Sequence, residues 1–95
     1  IISNEPGYYK PGEYGIRIEN LVLVVDKPVT GGDKETLGFE TLTYVPIDKR
    51  LIDASMVSNR DRECLDDYHA KVLALIDPEL DGEDKAWLER QCAPL

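Results

Sequence analysis

The hydrophobic pattern changes its period near the middle of the chain. Up to about residue 50, apolar side chains alternate with polar ones or gather in short β-branched runs; beyond it they recur at three- and four-residue spacing. The clearest strand is Ile16–Val25, rich in Ile, Val and Leu and halted at Lys27-Pro28. The proline pushes Lys27 to extended geometry and itself offers no ladder donor. Ile1–Tyr9 is also strand-compatible, and Lys10-Pro11-Gly12-Glu13 between the two is turn chemistry. A third strand is predicted over about Gly38–Val45, ending at Pro46. The stretch between, with Gly31-Gly32, reads as a flexible loop, and no strand–GxxxxGK–helix context makes it a phosphate cradle.

The second half reads as helical. Ser58 and Asp61 have the spacing of a capping box, with Asp in place of the usual Glu. Leu65, Tyr68, Val72, Leu75 and Ile76 then form one apolar stripe, and Pro78 marks its end. Asp81 is placed to cap a last short helix, about Glu83–Gln91, expected to bury Trp87 and Leu88. Aromatic residues at this spacing read as core packing rather than ligand stacking. The fold class that follows is α+β: a β-hairpin plus a third strand, then two helices expected to pack on a sheet. The division falls between residues 1–48 and 49–95.

Composition narrows the range of functions. A chain of 95 residues suits one domain, burying roughly 60–70% of its unfolded surface. No apolar run approaches the roughly 20 residues of a membrane span. The formal net charge is -8, with eight acids and six bases in residues 1–50 and eleven acids and five bases in residues 51–95. A negative surface argues against nucleic acid or an anionic membrane as partner. Cys64 and Cys92 are too few for a disulfide scaffold and have no zinc-site spacing, so buried free thiols in a reducing, cytoplasmic setting are expected. The chain opens at Ile1 inside a predicted strand, without an initiator Met, so a piece of a longer protein is expected.

The candidate chemistry sits on the first hairpin. Folding about Gly12 pairs residues equidistant from it, so Glu5 faces Glu19 and Gly7 faces Arg17. Side chains alternate along a strand, which puts Glu5, Gly7, Tyr9, Arg17 and Glu19 on one face. Directly opposed carboxylates have Cβ atoms about 4.5–5.5 Å apart and repel unless a cation lies between them. Arg17 is a partial answer and a hard, oxygen-seeking ion such as Mn²⁺ or Mg²⁺ a fuller one. On pattern alone, two Glu and one Arg on a hairpin more often form a solvated face than a metal site. The acidic run Asp77-Glu79-Asp81-Glu83-Asp84 lacks the ordered oxygen positions of an EF-hand and reads as helix-end electrostatics. His69, the only histidine, reads as a surface or helix-packing residue.

The motifs Ser3-Asn4-Glu5-Pro6-Gly7-Tyr8-Tyr9 and Tyr14-Gly15-Ile16-Arg17-Ile18-Glu19-Asn20 resemble the end of the catalytic domain of the Xaa-Pro aminopeptidases. These are pita-bread metallopeptidases of family M24, here in the eukaryotic-type aminopeptidase P branch. Leu37-Gly38-Phe39-Glu40-Thr41-Leu42-Thr43-Tyr44-Val45-Pro46-Ile47-Asp48 is similar to the same branch. Asp81-Gly82-Glu83-Asp84 with Ala86-Trp87-Leu88 resembles its C-terminal extension. The resemblance covers nearly the whole chain.

It implies that Glu5 and Glu19 are the last two of five ligands to a dinuclear centre whose usual metal in the family is Mn²⁺, Glu19 bridging both metals and Glu5 holding one. Tyr9 and Arg17 match positions that hydrogen-bond a ligating Asp and orient it. The implied activity removes an N-terminal residue preceding proline: a metal-bridging hydroxide attacks the scissile carbonyl, with Glu5 as proton acceptor. The other ligands, two Asp and a His, lie upstream in the family and are not in this chain, so the chain alone is expected to be inactive. Partners implied for the parent are peptides with proline at the second position. The exposed strands lead us to expect self-association, a dimer or larger. The rival reading is a non-catalytic interaction or dimerisation module that retains the hairpin.

Overall fold

A computed structural model describes residues 1–95. The chain divides into two compact units, Ile1–Thr43 and Tyr44–Leu95. The first holds five short strands: β1 (Ile2–Asn4), β2 (Gly7–Lys10), β3 (Tyr14–Arg17), β4 (Asn20–Asp26) and β5 (Leu37–Thr41). The second holds α1 (Asn59–Ile76) and α2 (Gly82–Cys92), with short 3-10 turns at Lys49–Leu51 and Asp77–Glu79. The class is α+β, small antiparallel sheets followed by two helices.

In the first unit the turn sets the register. Gly12 has φ +75 and follows Pro11, and the Glu13 N–H donates to the Lys10 carbonyl at 3.0 Å. Proline then glycine with positive φ makes a type II turn. From it, β2 and β3 pair Gly7 with Arg17, Tyr8 with Ile16, Tyr9 with Gly15 and Lys10 with Tyr14. The same equidistant pairing continues in β1 and β4, Ile2 with Val22 and Asn4 with Asn20. β5 adds to the far side of β4, giving the order β1-β4-β5.

The expected long strands Ile1–Tyr9 and Ile16–Val25 are each split in two, at Glu5-Pro6 and at Ile18-Glu19. Pro6 has no N–H to give, and the ladder lapses there except for the Ile18 N–H donating to the Pro6 carbonyl at 3.2 Å. The third strand is Leu37–Thr41 rather than Gly38–Val45, and the chain beyond it passes into the second unit.

In the second unit Ser58 caps α1 as its spacing predicted. Its Oγ accepts from the Asp61 N–H at 3.1 Å and donates to Asp61 Oδ2 at 2.6 Å. The buried core is Val72, Leu88 and Cys92, with Tyr44, Tyr68, Leu73, Ile76 and Leu80 packed around it. Three expectations are corrected here. Leu75 is 54% exposed, and the fully buried His69 takes a place in the stripe. Trp87 is 49% exposed while Leu88 is buried, because adjacent helical positions point about 100° apart. Cys64 is exposed, and only Cys92 is a buried thiol. Asp81 sits at the N-cap of α2 with extended backbone but makes no side-chain capping bond.

Candidate metal centre

The break in the ladder is where the candidate residues meet. Ser3, the middle residue of β1, donates its hydroxyl to Glu5 Oε2 at 2.8 Å and lies 3.4 Å from Glu19 Oε1. Glu19 Oε2 lies 2.9 Å from Arg17 Nη2. The two carboxylates therefore converge on one hydroxyl from the two sides of the break, and all four side chains are open to solvent.

Tyr9 completes the group. A Cβ built on Gly7 would lie 2.7 Å from the Tyr9 Oη, and one on Gly15 2.7 Å from Tyr9 Cδ1. The ring thus lies flat across these two glycines, and its hydroxyl reaches Arg17. The Glu19 carboxylate first, then Tyr9 and Glu5, raise the Arg17 guanidinium above its ordinary pKa. Hydrogen bonding from Ser3, ahead of the pull of Arg17, holds the Glu5 carboxyl below its ordinary value.

Glu5, Tyr9, Arg17 and Glu19 are thus gathered in one place by the first unit alone. Two hard carboxylates suit a hard divalent cation. They do not complete a site: no group of three or more His, Cys, Asp or Glu converges here in a way that would hold a metal ion. The donor set fits as part of a centre whose remaining ligands come from outside these residues. His69 takes no part in it, since its Nε2 accepts from the Ile47 N–H at 3.0 Å within the second unit.

Sequence reasoning missed Ser3, although its position two residues before Glu5 on the same strand face was the available signal. It also missed the ties of the second unit. Tyr68 Oη donates to the Val45 carbonyl at 2.9 Å and accepts from the Val45 N–H at 3.2 Å. Asp66 Oδ1 accepts from the Leu95 N–H at 2.9 Å, while Arg62 donates to the Leu95 carbonyl and Lys49 to that of Ala93.

Known proteins share this fold. An α+β chain of small antiparallel sheets followed by two helices matches a C-terminal portion of an aminopeptidase fold. The crystal structure of X-prolyl aminopeptidase from Caenorhabditis elegans, described as a cytosolic enzyme with a di-nuclear active site, superposes with a TM-score of 0.83 at 35% identity, over 98% of this chain and 16% of that one. Residues 35–95 match the family described as the C-terminal region of peptidase_M24, and the chain belongs to that family. A probable Xaa-Pro aminopeptidase P from Laccaria bicolor is 48% identical over 99% of this chain and 15% of its own length. One from Coprinopsis cinerea is 46% identical over 99% of this chain and 16% of its own. The chain thus spans about one-sixth of the length of the curated relatives it matches.

Proposed function

We propose that this chain is the C-terminal part of a metal-dependent Xaa-Pro aminopeptidase that removes an N-terminal residue preceding proline. The observation that carries the reading is the convergence of Glu5 and Glu19 at the break between strands, in a chain whose relatives bear that name. Glu5 and Glu19 supply two of five ligands to a pair of divalent cations, with Mn²⁺ the metal favoured. Bound cations would supply Lewis-acid polarisation of the scissile carbonyl. The chain's own residues do the rest of what falls to it. Glu5 and Glu19 would hold the cations, Glu5 would accept a proton from the attacking water, and Tyr9 with Arg17 would orient a ligating Asp by hydrogen bonds. The division of labour follows the strands, residues 1–48 belonging to the catalytic domain and 49–95 to the helical extension. The place of action is the cytoplasm, a reading supported by the cytosolic neighbour. No helix is long and apolar enough to cross a membrane.

With two of five ligands, the chain alone is inactive. A chimera tests the reading: this chain replaces the corresponding segment of the Caenorhabditis elegans enzyme, and release of the N-terminal residue from an Xaa-Pro peptide is measured with Mn²⁺. The expected result is turnover by the chimera, none by the chain alone, and a loss of more than about 100-fold on Glu19→Gln. That loss exceeds the roughly 10–100-fold typical of residues that merely support a ligand. A chimera that folds, by circular dichroism, yet turns over no peptide would overturn the proposal in favour of a non-catalytic interaction module.

A further inference from the structure

The two carboxylates owe their orientation to different partners. Glu5 and Glu19 lie outside the strands, β1 ending at Asn4 and β2 opening at Gly7, β3 ending at Arg17 and β4 opening at Asn20. A ladder fixes side-chain direction by its pleat; at this break that constraint is gone on both sides. What orients the carboxylates must come from side chains. Glu19 has Arg17 at 2.9 Å on its Oε2, and Tyr9 lies near enough to Arg17 to raise its pKa. Glu5 has Ser3.

Ser3 differs from its acidic neighbour in being inside a strand, where pairing with Leu21 fixes its backbone. A serine hydroxyl carries a single proton. At 2.8 Å from Glu5 and 3.4 Å from Glu19, that proton belongs to Glu5, while the same oxygen faces the Glu19 oxygen that Arg17 leaves free of its ion pair. One hydroxyl therefore sits between two like charges that would otherwise swing apart into solvent.

We propose that Ser3 is a positioning residue for the carboxylate pair: its hydroxyl selects the Glu5 rotamer that converges on Glu19, so that the two present their oxygens to one divalent cation. The purpose assigned to that convergence rests on the metallopeptidase reading; the orienting role does not. Ser3 touches neither substrate nor reacting atoms in this scheme and acts only through Glu5.

The test uses the chain itself, isotopically labelled, and compares Ser3→Val with Ser3→Thr, which have nearly the same shape and strand preference but differ in the hydroxyl. Side-chain scalar couplings report the rotamers of Glu5 and Glu19 without metal. The expected result is one dominant Glu5 rotamer in the unsubstituted chain and in Ser3→Thr, and averaging among rotamers in Ser3→Val. Mn²⁺ is then titrated and line broadening at Glu5 and Glu19 followed; Ser3→Val should need about tenfold more metal than Ser3→Thr for equal broadening. An averaged Glu5 in the unsubstituted chain, or an unaltered single rotamer in Ser3→Val, would overturn the role of Ser3. Broadening at Glu5 that is indifferent to Glu19→Gln would instead sink the metal reading and leave the rotamer result standing.

Discussion

At the scale of single residues, Gly7 and Gly15 are needed for what they leave out. The Tyr9 ring occupies the space their side chains would fill, which is how its hydroxyl comes alongside Arg17. A methyl at Gly7 would stand 2.7 Å from the Tyr9 Oη, closer than such atoms approach. Tyr9 is largely exposed, so the ring can swing outward and spare the backbone. Gly7→Ala should therefore leave stability within about 0.5 kcal/mol, the range of ordinary surface changes. It should also remove nuclear Overhauser contacts from the Tyr9 ring to Gly15 and Arg17. Contacts that persist unchanged would mean that the glycines are not the seat of the ring. The cost would fall on Arg17, which would lose the Tyr9 hydroxyl beside it.

At the scale of elements, α1 shows how far a periodic reading carries and where it stops. The buried and half-buried face runs Leu65, His69, Val72, Ile76, a regular four-three-four spacing. Polar identity is what kept His69 out of the predicted stripe, and apolar identity is what put Leu75 into it. Burial of His69 is made possible by the chain 22 residues earlier, where the Ile47 N–H donates to its Nε2. No local pattern announces such a partner. The hairpin register was legible because a Pro-Gly turn fixes it within a few residues, whereas the break at Glu5-Pro6 depends on which ladder bonds survive a missing N–H. The ligand roles proposed for Glu5 and Glu19 rest on the motif, since charge pattern alone does not separate a metal site from a solvated face.

The same histidine makes a prediction about pH. With Nε2 accepting, the neutral ring carries its proton on Nδ1, which is buried without a partner. Burial first, and then the positive charge of Lys49, lower its pKa below the ordinary 6.5, against an opposing pull from Asp66. The Tyr68 ring lies beside it, tilted by 44° with ring centroids 5.8 Å apart. The unfolded chain therefore takes up a proton before the folded one does, and stability is full above about pH 6.5 and falls as the pH drops toward the folded value. The carboxyls with lowered pKa, Glu5, Asp48 and Asp53, act below their ordinary values of 4.5 and 3.8, so the window from about 6.5 to 5 belongs to His69. Urea unfolding between those pH values should show a declining free energy in the unsubstituted chain and a flat one in His69→Gln. An equal slope in both would assign the effect elsewhere.

At the scale of the whole molecule, apolar exposure and charge oppose each other. The buried set is small, and much of the apolar surface of the first unit is open, Leu37 at 69% and Phe39 at 67% among it. A shallow groove lined by Ile2, Val22, Phe39 and Thr41 runs along the same sheet, and β5, at its edge, offers backbone groups to another strand. A net charge of -8 resists the approach of a second copy. That resistance is long-range and screened by salt, with a Debye length near 30 Å at about 0.01 M and near 8 Å at about 0.15 M, while hydrophobic contact is not. Self-association should therefore grow with protein concentration and also with salt, the reverse of what charge pairing would give. Sedimentation velocity across both variables measures it, and Phe39→Glu, which removes the apolar ring and adds a further negative charge to each copy, should shift the chain toward monomer. A single monomeric boundary at every concentration and salt would show that the exposed strands do not drive association. Association that weakens as salt is added would point instead to attraction between opposite charges.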